Sequence, residues 1–189
     1  MKFKLIAAAA GSLVLAACNP STDASVDNGA NSATPETNVA ATDAPAATPG
    51  AQEFVTAVAG SDLYEIESGK IAQEKATAAD LKTFGQMLVT DHTKSSEQLK
   101  AAVAKTPSAP TPPATLPADL QAKIDALRAA SGAEFDRLFV EQQTEGHRKT
   151  LDTLKAYSTG GDQPPLREFA TNAQTVVEAH LKELTARGQ

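Results

Sequence analysis

Residues 106–117 read Thr106-Pro107-Ser108-Ala109-Pro110-Thr111-Pro112-Pro113-Ala114-Thr115-Leu116-Pro117. Five prolines in twelve residues rule out a helix here, because each lacks a backbone N–H and restricts the residue before it. On both sides of this stretch the apolar residues return with the 3.6-residue period of a helix. Upstream, Phe54, Val55, Val58, Asp62, Glu65, Ile66, Gly69, Ala72 and Ala76 share one arc, which predicts a first helix over about 52–76. Thr77 and Asp80 then look like an N-cap and an acidic first turn. A second helix follows over about 78–105, with Leu81, Gly85, Leu88, His92, Ser96, Leu99 and Val103 on its inner stripe.

Downstream, Leu120, Ile124 and Leu127 mark a short helix, and Ser131-Gly132 breaks its phase. A third long helix over about 133–158 carries Asp136, Val140, Gln143, His147, Leu151 and Leu154 on one face. Gly160-Gly161 ends it, and Pro164-Pro165 opens a last helix over about 164–187. The stripe of that helix is Leu166, Phe169, Ala173, Val177, His180 and Leu184. Four long helices of similar length, about 36 Å at 1.5 Å per residue, suit a bundle. Short 1–2 and 3–4 connections make those pairs antiparallel, while the 2–3 connection is long and holds a short extra helix. The expected class is therefore all-α, a ferritin-like antiparallel four-helix bundle with one long crossover.

Composition agrees. The 189 residues include no Trp and only 4% aromatics, which favours helix over sheet. A net charge of −6 argues against a nucleic-acid partner, which needs clustered Lys and Arg. One cysteine excludes an internal disulfide, a zinc ribbon and a CxxC redox pair.

That cysteine lies where the chain begins. Residues 1–17 pair Lys2 and Lys4 with an apolar run from Leu5 to Ala17, the pattern of a secretory signal peptide. The run ends Leu15-Ala16-Ala17-Cys18, which resembles the bacterial lipobox. That resemblance implies acylation of Cys18, removal of 1–17 and a permanent membrane anchor through several acyl chains. Processing would leave 172 residues with a net charge of −8. Asn19 in place of Asp implies sorting to the outer membrane, with the domain in the periplasm or on the extracellular face. Residues 18–50 follow as a lipidated cysteine and a tether, with Val26 and Val39 as the only large apolar side chains after Cys18. So little apolar surface predicts disorder, with a reach of roughly 30 Å. The helical domain then occupies 51–189.

Within about 52–186, several short phrases resemble a family of bacterial exported proteins. They are Glu65-Ile66-Glu67 with Lys70-Ile71-Ala72, Phe84 with Asp91-His92, Phe135-Asp136 with His147, and Leu166, Phe169-Ala170 with His180-Leu181. The resemblance implies a ferritin-like domain in the outer membrane or periplasm. It implies no activity, because the family has none assigned.

The three histidines carry the only chemical signal. His92, His147 and His180 each lie on the apolar stripe of a different long helix, and Glu65 lies on the inner line of the first. Three imidazoles and a carboxylate converging mid-bundle would suit zinc, copper, iron or nickel. Counted from the turns, Glu65 and His92 differ in depth by roughly 3 Å, and His147 and His180 by about 7 Å. The plainer alternative makes each a core histidine hydrogen-bonded to a carboxylate, with Asp91, Asp136 and Glu65 as natural partners. Di-iron chemistry is not expected, because Val89, Thr144 and Val177 stand where Glu-x-x-His pairs need Glu. No hydrolase motif or phosphate-binding glycine loop is present, so a non-enzyme is expected. Two functions remain open. One is an envelope-anchored metal-binding protein with Glu65, His92, His147 and His180 as ligands; the other is a metal-free structural or interaction module whose partner the sequence does not name.

Overall fold

The computed structural model describes residues 48–187. The signal segment, Cys18 and the tether up to residue 47 lie outside the described residues. Within them, five helices and no strand occur: α1 Ala51–Lys75, α2 Ala79–Ala104, α3 Ala118–Ala129, α4 Gly132–Gly160 and α5 Pro164–Arg187. The all-α expectation holds, with helix ends within two residues of those read from periodicity.

The long helices form a square. α1 packs along α2 and α4 along α5, while α1 also meets α4 and α2 meets α5. Neighbours are antiparallel. The crossover leaves the far end of α2 and runs down the outside of α1. There Gln52 exchanges two hydrogen bonds with the backbone of Thr111, both 2.9 Å. Pro117 then sits against Gly60, where an added Cβ would stand 3.0 Å from the Pro117 ring. From that point α3 lies over the α1/α4 seam, its Ile124 and Leu127 fully buried. The chain thus returns to the α1–α2 turn before α4 begins, as one long crossover requires.

α1 and α2 approach closely because each presents a glycine. A Cβ on Gly69 would fall 2.6 Å from the Gly85 carbonyl, and one on Gly85 the same distance from the Gly69 carbonyl. No side chain fits either position without separating the two backbones.

The α2 start corrects the sequence reading. Its N-cap is Ala78, not Thr77, and no side chain of the cap residue bonds the helix. Thr77 turns instead to Asp136, which accepts from the Thr77 hydroxyl, the Thr77 N–H at 2.9 Å and the Ala78 N–H at 3.3 Å. Slight burial would raise the Asp136 carboxyl, but those hydrogen bonds outweigh it and hold it below the usual range. Asp136 is therefore no partner of a histidine. It sits near the start of α4, where the inner arc faces the α1–α2 turn rather than the middle of the bundle.

Apolar packing is divided into two clusters. One, beside the α4–α5 turn, is built on Phe54, Val58, Leu99, Leu154, Tyr157, Leu166 and Phe169. The other, beside the α1–α2 turn, holds Phe84, Leu88, Ile124, Phe135, Phe139 and Leu184. Between them lies a polar layer.

Candidate metal centre

The polar layer is built from one or two residues on the apolar stripe of each of four helices. α1 contributes Asp62 and Glu65, α2 His92, α4 Gln143 and His147, and α5 His180. All are buried: Asp62 is 2% exposed, Glu65 1%, His92 4%, His147 1% and His180 2%. Each histidine offers one ring nitrogen to a group in which all three atoms lie within 4.8 Å of one another. The imidazoles of three helices are thus brought together.

The outward-facing nitrogens are already committed. His92 Nδ1 lies 2.8 Å from Asp62 Oδ1, His147 Nδ1 2.9 Å from the Gln143 carbonyl, and His180 Nε2 3.0 Å from Asp91 Oδ2. Carboxylates and carbonyls accept, so each of these ring nitrogens carries the proton and donates. In neutral rings the lone pairs are then left on His92 Nε2, His147 Nε2 and His180 Nδ1. The last two stand 3.1 Å apart, and His92 Nε2 is buried with no hydrogen-bond partner. Lone pairs facing at that distance repel unless a proton or a cation lies between them.

A proton is poorly accommodated on two of the rings. Burial, with the neighbouring His92 and His180, pushes His147 down to about 3. Burial also lowers His180, and His92 adds to that effect although Asp91 opposes it. At His92 burial works in the same direction, but the Asp62 hydrogen bond and the charges of Glu65, Asp62 and Asp91 outweigh it and raise the ring above its usual value. A metal ion fits the donor set better. Metal-bound histidines characteristically donate their second N–H to a carboxylate or backbone carbonyl, and all three do so here. Imidazole nitrogens suit zinc, copper, iron and nickel. Bonds of about 2.0–2.1 Å would place such nitrogens roughly 3.4 Å apart, so a pair at the 4.8 Å limit would need to close by about 1.4 Å.

Glu65 stands apart from this group. Its Oε1 is 3.6 Å from His147 Nδ1, the nitrogen that faces away from the other imidazoles, and its Oε2 has no partner. Burial pushes its carboxyl up to about 7, despite the opposing charge of His92. Nearby, Gln143 Nε2 donates to Ser68 Oγ at 2.9 Å and Tyr64 donates to Gln142 at 2.8 Å. Asp91 meets His180 as a core partner should. The carboxylate paired with His92 is Asp62, which the sequence reading placed on the inner arc of α1 but gave no role. Asp62 lies thirteen residues before Lys75 and His92 thirteen after Ala79, and their side chains meet at 2.8 Å. Glu65 is nearly one turn closer to the connection.

The expected 7 Å offset between His147 and His180 is also corrected. Cα–Cβ bonds tilt toward a helix N-terminus. In the antiparallel pair this carries His147 away from the α4–α5 turn and brings His180 toward it, closing the gap from both sides.

A family described as a domain of unknown function (DUF4142) matches residues 36–186, most of the chain. The chain belongs to that family. Among solved structures, it is similar to CopM in the Cu(I)-bound form, with 20% identity and a TM-score of 0.60 over 73% of this chain and 94% of that one. It is likewise similar to CopM in the Cu(II)-bound form, with 18% identity and a TM-score of 0.59 over 71% and 93%. At such identities the likeness establishes a shared fold. No curated protein matches the chain.

Proposed function

We propose that this chain is a transition-metal-binding protein of the cell envelope, with copper its first candidate ion and His92, His147 and His180 the ligands. One observation carries the reading: three buried imidazoles bring one ring nitrogen each within 4.8 Å of the others, while oxygen acceptors hold one nitrogen of every ring. Copper is placed first because the similar fold of CopM has been captured with copper in two oxidation states. Cu(II) also heads the affinity order for such nitrogen sites. Asp62, the Gln143 carbonyl and Asp91 act as orienting groups, and Glu65 stands behind His147. The role is binding rather than catalysis.

Anchoring through an acylated Cys18 belongs to the same proposal, supported by the sequence Leu15-Ala16-Ala17-Cys18 after a basic, apolar leader. Cys18→Ser should release the chain from the membrane fraction. For the metal, titration of protein purified without a histidine tag should give one copper per chain and a raised melting temperature. His147→Gln should lose both. Substoichiometric binding of copper and of zinc, with no change in melting, would leave a metal-free interaction module in its place.

A further inference from the structure

Two recesses approach the polar layer from opposite seams. Along the α1/α4 seam, a recess bordered by Ser61, Gly146 and Thr150 ends on Glu65, and no histidine lines it. The ring of His147 stands beyond Glu65 with its Nδ1 committed to the Gln143 carbonyl, and α3 packs on the same two helices. The α2/α5 seam differs. Its cleft runs between Asp91 and Lys94 on α2 and Asn172 and Val176 on α5, and His92 and Asp62 form part of its wall.

We infer that the α2/α5 cleft is the exchange mouth through which a metal cation reaches and leaves the three histidines, making the centre an exchangeable site rather than a permanently sealed structural one. This rests on the metal reading above. The cleft reaches a member of the histidine group directly, and that member, His92, is the one whose Nε2 has no partner. Two carboxylates line the way. Asp91 is at the rim with its side chain 35% exposed and Asp62 is buried at the wall, which outweighs the single ammonium of Lys94. A wall with net negative charge concentrates cations. Val176, 41% exposed at the rim, is a large apolar side chain left facing solvent where a tightly packed seam would cover it.

The test is stopped-flow uptake of Cu(II) by the full chain, followed by release to excess EDTA. Val176→Trp, which enlarges a rim residue without entering the core, should slow uptake and release together by about tenfold or more, the effect of an added barrier near 1.4 kcal/mol. Its dissociation constant should stay within about twofold of wild type, since equal changes in both rates cancel. Val176→Ala should exchange at least as fast as wild type. Gly146→Val, which narrows the opposite recess, should leave both rates unchanged. Wild-type kinetics in Val176→Trp, or slowed exchange in Gly146→Val, would overturn the assignment of the mouth. A wild-type chain that binds no copper would instead overturn the metal reading on which it rests.

Discussion

The apolar cluster near the α4–α5 turn and the polar layer beneath it are built by the same helices to opposite ends. In the first, Phe54 stacks on Tyr157 with ring centroids 3.9 Å apart and meets Phe169 edge-on, and these side chains are almost wholly buried. Everything there favours the folded state. In the second, Asp62, Glu65, Gln143 and three histidines are equally buried, and Glu65 Oε2, His92 Nε2 and Gln143 Oε1 lack partners. Each orphaned group costs about 1–3 kcal/mol. A chain selected for stability alone would fill this layer with leucine, and the metal-binding role proposed above accounts for the polar groups kept there.

The largest effect that separates the regions is on stability. Phe54→Ala should cost about 3–5 kcal/mol in chemical denaturation while leaving copper stoichiometry at one in the protein that remains folded. In the polar layer the reverse is expected. Asp62→Asn keeps the volume but removes the carboxylate behind His92, and isothermal titration should find copper affinity about 10–100-fold weaker.

Acidity distinguishes the layers further. In the metal-free chain Glu65 keeps its proton up to about 7 when folded but loses it near 4.5 when unfolded, so its contribution to stability falls as pH rises between those values. His147, held down to about 3, contributes stability that is complete above 6.5 and is lost as pH falls toward 3. The two slopes oppose each other between 4.5 and 6.5. Glu65→Gln removes one of them, so denaturation of that variant should show stability dropping by up to about 1.4 kcal/mol per pH unit from 6.5 downward. The wild-type profile over the same interval should be much flatter.

The smallest effect lies outside both layers. Asp136→Ala removes the acceptor at the start of α2, and thermal melts at neutral pH should show a loss of about 1 kcal/mol with copper binding intact.

Much of this organisation could be read from residue spacing. The five prolines of 106–117 fix the one long connection, and the 3.6-residue period puts His92, His147 and His180 on buried stripes because each replaces a core residue in an otherwise apolar series. Partnerships across helices were less legible. Asp62 and Glu65 lie on the same arc of α1, and spacing alone does not say which of them meets His92. His147 and His180 meet because side chains lean toward opposite N-termini, which a count of residues from a turn does not include. Asp136 shares its stripe with His147, yet it lies at a helix end whose neighbour is the α1–α2 turn.

X-ray absorption at the copper edge of the loaded, tag-free chain is the most direct test of whether the three imidazoles hold one ion. Three nitrogen scatterers at about 2.0 Å, with the outer-shell pattern of imidazole rings, are predicted. A first shell of oxygen or sulfur, or one with fewer than three imidazoles, would contradict it.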